Sequence, residues 1–159
     1  MIRYLVGTQK EADIFMKVYS ECPKGSIEVV GVRGEYLGNT EEDDILVDIG
    51  YAAGYRVPVG AIVEPTCAMD VEKHEAIRID TIFPVERRVC FSGYTKEHFG
   101  KYRAIFDGRL FKVAHKPHKR IYSIKIVSQD MDGYWDGDVH EGAWKVIAGY
   151  LGEYLKEGK

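Results

Sequence analysis

The apolar run Ile45-Leu46-Val47-Asp48-Ile49 stops at Gly50, and the stretch that follows constrains the fold more than any other part of the chain. After Gly50 come Tyr51, Ala52, Ala53 and Gly54, all small residues except the tyrosine. A second run, Val57 to Val63, is broken by Pro58 and Gly60. A short apolar run closing in glycine and alanine is the pattern of a buried strand. Glycine inside such a pattern marks a place where a ligand or another backbone comes close. The expectation is a strand over 45–49, a ligand turn over 50–54 and a second strand over 57–63.

Strand and helix signals alternate around this centre. Ile2 to Val6 is a buried-type strand ended by Gly7-Thr8, and Thr8 with Glu11 fits a capping box that opens a helix. Ala12, Phe15, Met16 and Tyr19 continue it at helical spacing. Ile27 to Val32 is a strand, and Glu35 to Asp44 a polar loop. Thr66 to Pro84 reads as loop with a short strand near 76–82. Arg88 to Ser92 is a strand, Thr95 to Phe106 a short helix or loop, and Leu110 to Ala114 a strand or a helical turn. Ile121 to Val127 is a β-branched strand. After a Gly/Asp-rich loop, Asp138 can cap a last helix whose stripe is Val139, Ala143, Val146, Ile147, Tyr150, Leu151, Tyr154 and Leu155. These patterns predict one α/β domain over 1–159: a three-layer-like arrangement with a central mixed sheet flanked by helices. In such sheets ligands favour the carboxyl ends of strands. Here those ends are Gly7-Thr8, Gly50-Tyr51, Ser92-Gly93 and Ser128-Gln129-Asp130.

Composition removes several classes of function. A net charge of −3 gives no nucleic-acid footprint. The basic stretch Lys112 to Lys125 reads as a solvated surface. Three cysteines, Cys22, Cys67 and Cys90, follow no disulfide or zinc spacing. His115-x-x-His118, split by Pro117, is not a helical metal pair, and no metal or cofactor is expected. No apolar run approaches the roughly 20 residues that span a bilayer, so a reduced, cytoplasmic setting without a membrane partner is expected.

Four segments, taken in order, resemble the nucleoside phosphorylase and nucleosidase superfamily of the purine nucleoside phosphorylase and methylthioadenosine nucleosidase type. They are Val6 to Ala12, Gly50 to Val63, Arg88 to Gly93 with Phe99 beyond it, and Ile124 to Asp130. The resemblance implies a shortened, phosphorylase/hydrolase-like fold and cleavage of the N-glycosidic bond of a purine nucleoside or related N-riboside, by water or by phosphate. It implies that Asp130 protonates the leaving base, with Gln129 standing as an extra residue before it. It implies that Glu11 positions or deprotonates a water. Gly50, Tyr51, Ala52, Phe91, Ser92 and Phe99 would line the substrate, and Arg33 would contact phosphate. The family's ribose-binding glutamate falls on Arg109, a reversed charge that cannot accept hydroxyl hydrogens. Asp107 is the nearby carboxylate placed to take over that contact.

Local readings stand beside these roles. Glu11 is also the capping partner of Thr8, and Asp130 also suits an Asx turn. Two functions therefore remain open. One is an N-riboside-cleaving enzyme, expected to form a homo-oligomer that covers its exposed edges. The other is a nucleoside-binding or structural protein that kept the fold and lost turnover.

Overall fold

A computed structural model describes residues 1–92, 103–130 and 141–156, with only the backbone of Asp130 included. The first turn follows the sequence signal closely. Strand β1 (Ile2–Val6) ends at Gly7, and Thr8 caps helix α1 (Gln9–Val18) through a reciprocal capping box with Glu11. The edge strand β2 (Ser26–Val29) lies parallel to β1.

The centre of the fold is β3, an unbroken strand from Ile45 to Tyr55. The ligand turn expected over 50–54 is therefore not a turn: Gly50 sits inside the strand with φ +152°. The reason lies in pairing that no local pattern reveals. β8 (Arg120–Asp130) runs parallel to β3 over almost its whole length, so the backbone of 50–54 remains in a ladder. One extra residue in β8 is absorbed between the pairs Ala52–Val127 and Ala53–Gln129, which leaves Ser128 as a bulge.

The remaining strands shift the boundaries read from sequence. β4 starts at Ile62 and reaches Asp70, a hairpin leads to β5 (Glu75–Arg78), and β6 covers Glu86–Phe91. The region 66–84, read as loop with a short strand near 76–82, thus holds the end of β4 and the whole of β5. Its closing segment is tied down by Glu64, fully buried, which accepts the N–H groups of Ile82 and Phe83. β7 (Ala104–Phe106) is short, and 110–114 is a single-turn helix, α2 (Leu110–Ala114). The pairings β3–β8, β8–β4, β4–β6, β6–β7 and β7–β3 close a ring, with β1, β2 and β5 as extensions of the sheet. Closure removes exposed sheet edges from the middle of the fold.

Two cores result. On one face, Tyr4, Phe15, Val47, Ile49, Ile124 and Ile126 meet helix α3 (Glu141–Tyr154) through Trp144, Ile147 and Leu151. The buried stripe of α3 is centred on Trp144, and Val146 and Tyr154 are exposed, a one-residue rotation from the expected stripe. Trp144 provides the largest apolar surface on that helix, so its burial sets the rotation. On the other face, Leu46, Ala52, Val63, Cys90, Ile105, Ile121 and Val127 fill the ring beside α2. Expectations that fall on Gly93, Phe99 and the Asp138 cap lie outside the described residues.

Candidate functional site

β3 brings the predicted residues to one level of the sheet. Gly7 follows β1 next to Gly50, because Leu5 pairs with Asp48. Phe106 pairs with Ala53 and Phe91, which places Asp107 one residue beyond that row. The backbone of Asp130 pairs with Gly54. From Gly50 to Gly54 is roughly 13 Å along an extended strand, comparable to the long axis of a nucleoside.

Glu11 is 5% exposed and faces this level. Its Oε1 accepts the backbone N–H of Tyr51 at 3.1 Å, and its Oε2 accepts the N–H of Thr8 at 2.8 Å. The capping reading of Glu11 holds: one oxygen caps α1 while the other reaches β3. Glycine is required on both sides. A Cβ on Gly7 would stand 2.4 Å from Arg109 Nη1, and one on Gly50 would stand 2.6 Å from Glu11 Oε1 and 2.7 Å from Arg109 Nη2. These glycines admit a carboxylate and a guanidinium from within the chain.

Arg109 turns inward, where sequence reasoning had only noted its reversed charge. Its Nη2 donates to Asp48 Oδ1 at 2.9 Å and to the Ile49 carbonyl at 2.8 Å, and its Nε donates to the same carboxylate. Lys125 is fully buried and bridges Asp48 and Asp107. The basic stretch is solvated surface as read at Lys112, Lys119 and Arg120, but not at Lys125: β8 alternates, and Lys125 falls on the ring-facing side with Ile121 and Val127. Asp107, placed by resemblance to take over a ribose contact, is committed to Lys125. Asp48 and Lys125 were missed as a pair. The available signal was a single charge inside each of two buried-type runs, since a charge there demands a partner of opposite sign.

Electrostatics follow from the geometry. Burial disfavours the charged form of Arg109, but Asp48, Asp107 and Glu11 outweigh it and hold its pKa above the ordinary value. Burial also disfavours ionised Asp107, yet Lys125 and Arg109 hold its carboxyl below the usual carboxylate range. Cys90 lies close to the same groups, and burial pushes its thiol well up, so it packs as a neutral side chain.

The other predicted residues are dispersed around this cluster. Tyr51 turns its ring to the helical face, where Trp144 Nε1 donates to its hydroxyl at 3.0 Å and the rings meet edge-on at 5.9 Å. Phe91 stacks on Phe106 at 5.8 Å and lines a cavity of about 530 Å³ with Met69, Val89 and Ala104. Ser92 is half-buried, its N–H donating to the Met69 carbonyl, and Ala52 is buried in the ring. Arg33 stands on an exposed loop, its N–H donating to Glu35 at 2.9 Å. Among the described residues no cluster of metal-ligating side chains is found, and no helix is long and apolar enough to cross a membrane.

The mixed sheet closes on itself, with α1 and α3 packed together on one face and α2 on the other, and the chain has the fold of solved nucleosidases and a nucleoside phosphorylase. MTAN from Chlamydia trachomatis superposes with a TM-score of 0.63 at 12% identity, over 96% of this chain and 90% of that one. Uridine phosphorylase from Schistosoma mansoni gives 0.62 at 12% identity, over 99% and 87%. The 5'-methylthioadenosine nucleosidase of Arabidopsis thaliana gives 0.61 at 10% identity, over 96% and 91%. No family model and no curated protein matches the sequence.

Proposed function

We propose that the chain hydrolyses the N-glycosidic bond of a purine nucleoside or related N-riboside held along β3 between Gly50 and Gly54. The observation that carries this reading is the charge of the buried cluster. Among the described residues, Asp48, Asp107 and Glu11 are three carboxylates set against two cations, Arg109 and Lys125, so one negative charge is left over beside Gly50. Breaking a ribosyl C–N bond builds positive charge on the sugar, and a fixed negative charge in a buried site stabilises it. Glu11 is the carboxylate outside the direct ion pairs. In this reading it accepts a proton from a water whose oxygen bonds to C1′, while the bonding electron pair leaves with the base nitrogen. Asp130, at the Gly54 end, supplies the proton that neutral purine needs. Water is favoured over phosphate because the surplus charge is negative and Glu35 lies beside Arg33. A cytoplasmic homo-oligomer with Phe91 and Ser92 near the base completes the proposal.

The test is release of free base from a panel of purine nucleosides, with and without phosphate. Release independent of phosphate is expected, with Glu11→Gln slower by roughly 10²–10⁴-fold. No release across the panel sinks the reading, as does a Glu11→Gln rate equal to wild type. A second reading, nucleoside binding without turnover, is favoured by one observation: Arg109, at the position matching the ribose carboxylate, is drawn inward by Asp48. Binding of nucleosides without release selects it.

A further inference from the structure

We infer that, among the N-ribosides the site can take, those whose cleaved ring already carries a positive charge, such as pyridinium ribosides, are preferred over neutral purine nucleosides. The inference rests on the reading of Glu11 as the group that activates water. Three features of the buried cluster carry it.

The surplus charge beside Gly50 is negative, and it sits where Glu11 is 5% exposed and Arg109 2% exposed. Water is thinned out there, so a ligand cation and this charge interact far more strongly than in bulk solvent. Next, neither cation of the cluster is available to a ligand anion: Arg109 is held by Asp48 and the Ile49 carbonyl, and Lys125 by Asp48 and Asp107. Among the described residues the site therefore lacks a ready grip for a substrate phosphate or carboxylate and favours the opposite sign.

The leaving group supplies the remaining argument. A neutral purine departs with an electron pair that must be met by a proton. Among the described acids of the cluster, Asp48 and Asp107 are fixed as ion-pair partners and do not carry a proton to give. A neutral purine therefore depends on Asp130, whose backbone pairs with Gly54 at the far end of the strand. A cationic ring needs no proton at all. When its C1′–N bond breaks, the electron pair neutralises the ring, water oxygen bonds to C1′, and the water proton passes to Glu11. Charge and atoms balance with water as the sole co-reactant.

The experiment incubates the full chain with nicotinamide riboside as the cationic probe and with inosine as the neutral one. Free base is measured, and each rate is expressed relative to that substrate's own breakdown in buffer. The expected acceleration is on the order of a hundredfold greater for the cationic probe, and Glu11→Gln removes most of that preference. Inosine accelerated as much as, or more than, nicotinamide riboside overturns the inference while the proposed function stands. If neither substrate is accelerated, this inference is overturned, and the purine nucleoside panel then decides the proposed function. A melting curve checks that Glu11→Gln is folded, and if it is not, the wild-type ratio decides alone.

Discussion

The two faces of β3 are built on opposite principles. Val47, Ile49 and the Tyr51 ring look toward α1 and α3, into a layer of Tyr4, Phe15, Trp144 and Ile147. Leu46, Asp48 and Ala52 look into the ring, where Asp48 meets Arg109 and Lys125. The helical face is held by area: its contacts are non-directional, and each lost methylene costs in proportion to volume. The ring face is held by pairing: removing one partner leaves a charge that burial makes intolerable. Stability resides on both faces, but the proposed chemistry belongs to the second, where charge is fixed in place.

The comparison is most severely tested by Arg109→Met. Leaving the buried carboxylates of Asp48, Asp107 and Glu11 against Lys125 alone is expected to cost about 3–5 kcal/mol, a fall in Tm of about 10 °C for a chain of this size, measured by calorimetry. Adding Asp48→Leu is expected to restore most of the loss, since removing both charges is near neutral. A single substitution costing under about 1 kcal/mol would erase the distinction between the faces.

Gly50→Ala comes next. The new Cβ meets Glu11 and Arg109 and carries a φ of +152°, so a loss of about 1–3 kcal/mol is expected, read from urea unfolding. On the helical face, Ile147→Val deletes one buried methyl and is expected to cost about 1 kcal/mol. Tyr51→Phe, which leaves the Trp144 indole N–H without its acceptor, is expected to cost about the same. A cost for Ile147→Val as large as that of Arg109→Met would show that volume governs both faces.

The smallest effect at neutral pH appears only in acid. The Asp107 carboxyl is held below its ordinary pKa of 3.8, so the folded state binds its proton less readily than the unfolded chain does. Its contribution is therefore fully present above that value and is lost as pH falls through the lower folded pKa. The urea midpoint should drop steeply below about pH 4, and the profile of Asp107→Asn should be flatter there. Identical profiles would remove Asp107 from the ring's pairing.

Much of the helical face was legible because its signals are local. Thr8 and Glu11 announce the capping box, and Ile2 to Val6 announces its strand. The alternation of Ile124, Ile126 and Ser128 against Lys125 and Val127 is also written in the chain. The ring face was not legible in the same way. Gly50 to Gly54 read as a turn because small residues in sequence look alike in turns and in close-packed strands. The difference is made by β8, some 75 positions downstream by the pairing of Gly50 with Lys125. Asp48, Asp107, Arg109 and Lys125 each looked like an ordinary charge until the sheet brought them together.

By itself the sequence determined the class of fold, the capped entry of α1, the placing of Glu11 in its first turn and the reversed charge at Arg109. These follow from propensity, periodicity and residue chemistry, which act over a few positions. Only the tertiary structure decided where that reversed charge points, which carboxylates it neutralises and which one is left over. Those outcomes depend on strand pairing and burial across the whole chain, because a charge acquires its meaning from partners that the linear order does not reveal.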